Sequence, residues 1–154
     1  MTQIDLFAVG PAEDEAFLAD WRASGGDAVL YRALRDDADF RFAALGDGGS
    51  YETVREDGAP DAQAGCVLIN PFEVPAGDDE RFLAGWDRAR GTLAGQRGYI
   101  GTRLHHSAEA EFRYVNVARW SSPLMFFRAL QQPDFRAAAE AMPYASHPAL
   151  YQAA

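Results

Sequence analysis

Two asparagines and a tryptophan interrupt stretches that are otherwise apolar. Asn70 lies in Cys66-Val67-Leu68-Ile69-Asn70-Pro71-Phe72, and Asn116 in Tyr114-Val115-Asn116-Val117-Ala118-Arg119-Trp120. A carboxamide in such a run destabilises the fold unless its polar atoms find partners. Those partners can be neighbouring backbone, buried water or a ligand, and residue type alone leaves the choice open. Side chains alternate along a strand, so Phe112, Tyr114, Asn116, Ala118 and Trp120 share one face, while Arg113, Val115, Val117 and Arg119 share the other. Asn116 and Trp120 are then about 13 Å apart along the strand, a spacing suited to an extended, flat ligand. The aromatic and amide set reads as the wall of a cavity, and the valine set as packing beneath helices. On the earlier strand Leu68, Asn70 and Phe72 form the corresponding face.

The remaining reactive side chains exclude other chemistries. His105 and His106 are adjacent on a strand and point to opposite faces, with no third ligand evident, so no metal site is expected. The single cysteine, Cys66, heads an apolar run and reads as a buried structural thiol in a reducing compartment. A net charge of -9 with no basic cluster argues against a nucleic-acid partner and disfavours membranes. No apolar run approaches the roughly 20 residues that span a bilayer, and the first residues carry no secretory pattern, so a cytoplasmic location is expected. With 48% hydrophobic and 24% charged residues, the 154-residue chain can bury a core of ordinary size.

The elements that position these residues occur twice. Ile4-Asp5-Leu6-Phe7 aligns with Ile69-Asn70-Pro71-Phe72 at an offset of 65, and the same offset sets Phe17 and Trp21 against Phe82 and Trp86. Phe40-Arg41-Phe42 then matches Phe112-Arg113-Tyr114 at an offset of 72. In the second copy, a strand over 66–74 is followed by a turn with Asp78 as N-cap. A helix with Phe82, Leu83, Trp86 and Ala89 on one side runs to Gly95. Strands over 99–105 and 111–120 come next. A helix capped by Ser122 with Pro123 in its first turn is interrupted at Pro133, and a closing strand lies near 147–151.

That order, β-α-β-β-α-β, is the ferredoxin-like unit. The expected fold is therefore α+β, with two such units in tandem: residues 1–56, a linker at 57–65, and residues 66–154. The first unit has a stunted second helix over 51–55. A ferredoxin-like sheet carries helices on one face only, so two antiparallel sheets can cover each other as an α+β barrel, with the amide face lining a cavity between them. Phe17, Trp21, Phe82 and Trp86 are expected in the core. At the two offsets Asn70 aligns with Asp5, Asn116 with Ala44 and Trp120 with Gly48, so one functional site per chain is expected.

From residue 66 to about residue 151 the chain resembles the antibiotic biosynthesis monooxygenase family. Asn70-Pro71-Phe72-Glu73-Val74-Pro75, Gly98-Tyr99-Ile100-Gly101-Thr102-Arg103-Leu104-His105 and the Val115-Asn116-Val117-Ala118-Arg119-Trp120 strand carry the likeness. The resemblance implies a dimeric α+β barrel in which the first copy replaces a partner. It also implies oxidation of a small aromatic polyketide-like substrate, an anthrone or hydroquinone, by O₂ without metal, flavin or haem. The implied catalytic residues are Asn70, Asn116, Trp120 and a histidine, His105 being the match and His106 its neighbour. Leu68, Phe72, Tyr114 and Phe126 would contact substrate, Phe126 standing nearest a position where a tyrosine is expected. The family's haem-degrading branch uses an axial histidine on the second helix, and residues 124–142 contain none. A non-catalytic binder or cyclase helper, a quinol-handling stress protein, and pairing into a homodimer all stay open.

Overall fold

The computed structural model describes residues 1–24 and 26–154. The first half contributes β1 (Thr2–Phe7), α1 (Asp14–Ser24), β2 (Val29–Ala33), β3 (Phe42–Asp47) and β4 (Glu52–Gly58). The second contributes β5 (Cys66–Phe72), α2 (Asp79–Leu93), β6 (Tyr99–His106), β7 (Tyr114–Trp120), α3 (Pro123–Leu130), α4 (Pro133–Glu140) and β8 (Ala149–Ala153). All pairings are antiparallel, in the order β1-β3-β2-β8-β5-β7-β6-β4. Thr2 and Tyr51 exchange backbone hydrogen bonds of 2.8 and 3.1 Å, which joins β1 to the start of β4 and closes the sheet. Closure removes the free edges that an open sheet would present. Among the described residues, no helix is long and apolar enough to cross a membrane.

The last strand of each half completes the barrel by pairing with the other half: β8 with β2, and β4 with β6. The duplication is visible in register. Asp5 lies opposite Ala44 across β1 and β3, as Asn70 lies opposite Asn116 across β5 and β7; Phe7–Phe42 likewise repeats as Phe72–Tyr114. Ser122 caps α3 by accepting from the Met125 amide at 3.2 Å, with Pro123 in the first turn. Asp78 stands at the start of α2, but its carboxylate makes no capping bond and accepts from the Tyr144 hydroxyl instead, at 3.1 Å.

Several expectations need correction. Residues 51–55 belong to the barrel, as Tyr51 and the start of β4, and no helix connects β3 to β4. The alternating run Glu52-Thr53-Val54-Arg55-Glu56 pairs with β6, and that edge outweighs the local tendency of a short polar segment to coil into one turn. Since β4 runs to Gly58, the halves are joined by the turn at 59–65. Phe112 precedes β7 and packs in the barrel interior, apart from the face that carries Asn116. Phe82 and Trp86 are buried, but Phe17 and Trp21 are only half-buried against Phe7 and Phe42. The missing second helix of the first half leaves α1 without the neighbour that α4 gives α2.

The largest correction concerns the faces. Val67, Ile69, Val115 and Val117 point into the barrel with Ile4, Tyr31 and Tyr151, and this interior contains no helical residue. The other face, bearing Leu68, Ala118 and Trp120, lies beneath α3. The amide side of the second half is therefore its helix-covered side. Both faces of β5 and β7 are buried, so alternation separated two sets without saying which set looked inward.

Because the interior is built from both halves, they should unfold together. Ile69→Ala, at a position with no exposure, is expected to cost about 2–5 kcal/mol. Urea unfolding followed by tryptophan fluorescence and by far-UV circular dichroism should give coincident single transitions. Two separated transitions would show that the halves are independent.

Candidate active site

A cavity of about 330 Å³ lies between the outer face of β5, β6 and β7 and the helices α2, α3 and α4. Its walls are mostly aromatic and aliphatic, among them Trp86, Phe126 and Phe135. Asn70 and Asn116 lie on its floor, directly opposite each other across β5 and β7. Side chains so paired have Cβ atoms roughly 5 Å apart, so one small ligand can reach both amides.

Asn116 is held by Thr102. The Thr102 hydroxyl, 2% exposed on neighbouring β6, donates to Asn116 Oδ1 at 2.5 Å. With its oxygen engaged there, the carboxamide keeps its Nδ2 donor free of that bond. Asn70 Oδ1 and Trp120 Nε1 are buried without a hydrogen-bond partner, and both residues line the same cavity. Buried polar atoms rarely go unpaired, which singles these two out. Trp120 is clamped between the edges of Tyr99 and Phe126, with centroids 5.5 Å away in each case. Tyr99 donates to Asp57 at 2.6 Å, and burial together with that bond pushes its hydroxyl far above the usual phenol range. No carboxylate or imidazole lines the cavity among the described residues; its one charged group, Arg90, pairs with Asp57 at 3.4 Å.

Of the residues singled out from sequence, Leu68, Asn70, Phe72, Asn116, Trp120 and Phe126 meet at this cavity. Tyr114 does not: its ring stacks on Phe82 with centroids 4.4 Å apart, and its hydroxyl donates to Asp79 at 2.7 Å. His105 is on the wrong side of the sheet. It lies opposite Val115 and Thr53, faces the barrel interior, and is 4% exposed with Nδ1 unpartnered. Burial, then the nearby Arg103, lowers its pKa to about 4. His106 is on the helix side but outside the cavity, 3.5 Å from Glu52. Sequence reasoning missed Thr102 and Arg90. Thr102 could have been found as the polar residue of the third strand whose alternation matches that of Asn116.

The antibiotic biosynthesis monooxygenase family model matches residues 66–141, the part of the chain that forms this cavity. A candidate monooxygenase from Shewanella loihica PV-4 is 38% identical over 59% of this chain and 95% of that one, with a TM-score of 0.52. The chain belongs to the antibiotic biosynthesis monooxygenase family. A second relative in structure is SnoaB, a cofactor-independent oxygenase from Streptomyces nogalater, at 30% identity over 58% of this chain and 92% of that chain, TM-score 0.53. LmHde, a heme-degrading enzyme from Listeria monocytogenes, covers both halves: 99% of each chain at TM-score 0.63 and 17% identity, a likeness of fold. No curated protein matches the chain by sequence. In this chain the second half carries both amides across β5 and β7, and the first half holds Asp5 and Ala44 at the matching positions.

The placement of His105 has a consequence for stability. Its folded pKa of about 4 is below the ordinary 6.5, so between those values the unfolded chain binds more protons. This histidine therefore leaves stability intact above pH 6.5 and lowers it progressively as pH falls toward 4. Thermal melts across that window should show a shallower loss for His105→Gln than for the wild type. Identical slopes would mean that His105 is not buried in its neutral form.

Proposed function

We propose that the chain is a cofactor-independent monooxygenase that oxidises an aromatic polyketide-like substrate, an anthrone or hydroquinone, with O₂. The observation that carries this reading is the pair of adjacent carboxamides on the floor of an apolar cavity, one of them locked by Thr102. Family membership and the resemblance to SnoaB support it.

An anthrone that loses a proton from its methylene carbon becomes an enolate, with its charge resting largely on oxygen. Asn116 Nδ2 and Trp120 Nε1 are fixed donors that would stabilise this charge, in the manner of an oxyanion hole. Asn70 Oδ1 would accept from a ring hydroxyl. Arg90 at the wall favours the anion further, although Asp57 offsets part of its charge. With no carboxylate or imidazole at the cavity, the proton passes to solvent. The electron-rich anion then gives one electron to O₂, and the substrate radical and superoxide combine at carbon to form a peroxide. Protonation and loss of water leave a carbonyl. One oxygen atom ends in the product and the other in water, and all four electrons come from the substrate. His105, across the sheet, plays no part in these steps.

The absence of a base in the cavity also fits a second reading, in which the protein binds such molecules without oxidising them. Oxygen uptake with purified full-length protein and a panel of anthrones and hydroquinones separates the two. Catalysis should raise uptake well above the spontaneous rate, and Asn116→Ala should lower the protein-dependent part on the order of 100-fold. Thr102→Val should reproduce much of that loss and Thr102→Ser should restore it, while His105→Gln stays close to wild type. Uptake no faster than background across the panel would leave only the binding reading.

A further inference from the structure

A second cavity, of about 580 Å³, lies on the far side of α3. It is walled by both halves of the chain: Leu34 and the 35–39 segment from the first, Phe127 of α3 and Leu150 of β8 from the second. Leu68, Phe126, Leu130 and Pro148 line both cavities, so the two adjoin along these residues. Phe126 is central to that boundary. It is 6% exposed, with its ring 5.5 Å from Trp120 on one side and 5.5 Å from Phe127 on the other.

The lip of the second cavity is unusually apolar for surface. Leu34 is 41% exposed and Phe127 49%. Concave apolar surface of this kind marks a ligand or partner. The charges nearby already have partners: Arg35 with Asp37 at 2.9 Å, and Asp39 with His147 at 2.7 Å. They give an incoming charged group little to bind. The first cavity, at 330 Å³, is near the small end of the range of about 300–1,000 Å³ for ligand pockets, so a compact ring system would fill it. A substituent attached to that ring system on the α3 side would meet the second cavity.

The geometry points to the second cavity as the remote half of one binding site. It receives an uncharged apolar substituent, an alkyl chain or further ring, on the aromatic ligand whose reacting ring lies against Asn116. The first copy, which has no amide pocket of its own, supplies the outer wall and with it the preference for extended substrates. This inference rests on the proposal that the first cavity holds a flat aromatic ligand.

The test compares two redox-stable probes on the full chain, 1-hydroxyanthraquinone and its hexyl-substituted homologue, by calorimetric titration. Burying the alkyl chain should tighten binding to the wild type by at least ~10-fold. Leu34→Glu and Phe127→Glu, both at exposed positions, should reduce that gain to under ~3-fold while leaving affinity for the compact probe within ~2-fold. Equal affinity of the two probes for the wild type, or a full gain retained in both variants, overturns the second subsite. Failure of the compact probe to bind, or its indifference to Asn116→Ala, overturns the aromatic-ligand reading instead, and this inference with it.

Discussion

A ferredoxin-like sheet carries helices on one side only, and its bare side must be buried against something. In this chain the two bare sides are buried against each other, in an interior where Ile4, Tyr31, Ile69, Val115 and Val117 meet without any helix between them. The Thr2–Tyr51 contact and the crossing of β4 and β8 into the opposite half then complete a closed wall. That packing fills the interior with aliphatic and aromatic side chains. The two amides lie on the other side of the same strands, where a cavity survives beneath the helices. The location of the site is thus a consequence of how the barrel closes.

On that outer side, a third strand decides the direction of the amide. A carboxamide presents a donor and an acceptor that differ little in shape, and a pocket exploits only the one turned toward it. Thr102 engages the oxygen of Asn116 and leaves the nitrogen for the cavity. The first half keeps the same cross-strand position, but fills it with Asp5 and Ala44. The register is the same without those amides, because register is maintained by the core on the opposite face.

Much of this was legible in the residues. The two offsets identified strands that do occupy matching register, and alternation grouped Leu68 with Asn70 and Asn116 with Trp120 as the structure has them. What alternation could not supply was the sign of each face. Valines and isoleucines suit a barrel interior as well as the underside of a helix, so Val115 and Val117 gave no direction. The histidine was lost for the same reason: His105 shares its strand with Thr102, but it stands three positions further on, an odd step that puts the two on opposite sides. The role of Tyr51 was hidden in another way. Its burial and its hydroxyl bond to the Phe112 carbonyl at 2.6 Å depend on a residue 61 positions away, which no local pattern reports.

The connection at 59–65 is seven residues of turn, yet it changes what kind of event barrel closure is. Between separate chains, two sheets meet at a rate set by protein concentration, and dilution pulls them apart. Joined by a short tether, they face each other at a high effective concentration that dilution cannot lower. Identical partners must also accept every substitution twice. In this chain, a change in one half leaves the other half untouched. One side of the barrel is thereby free to become wall and rim, while the other alone answers for the amides.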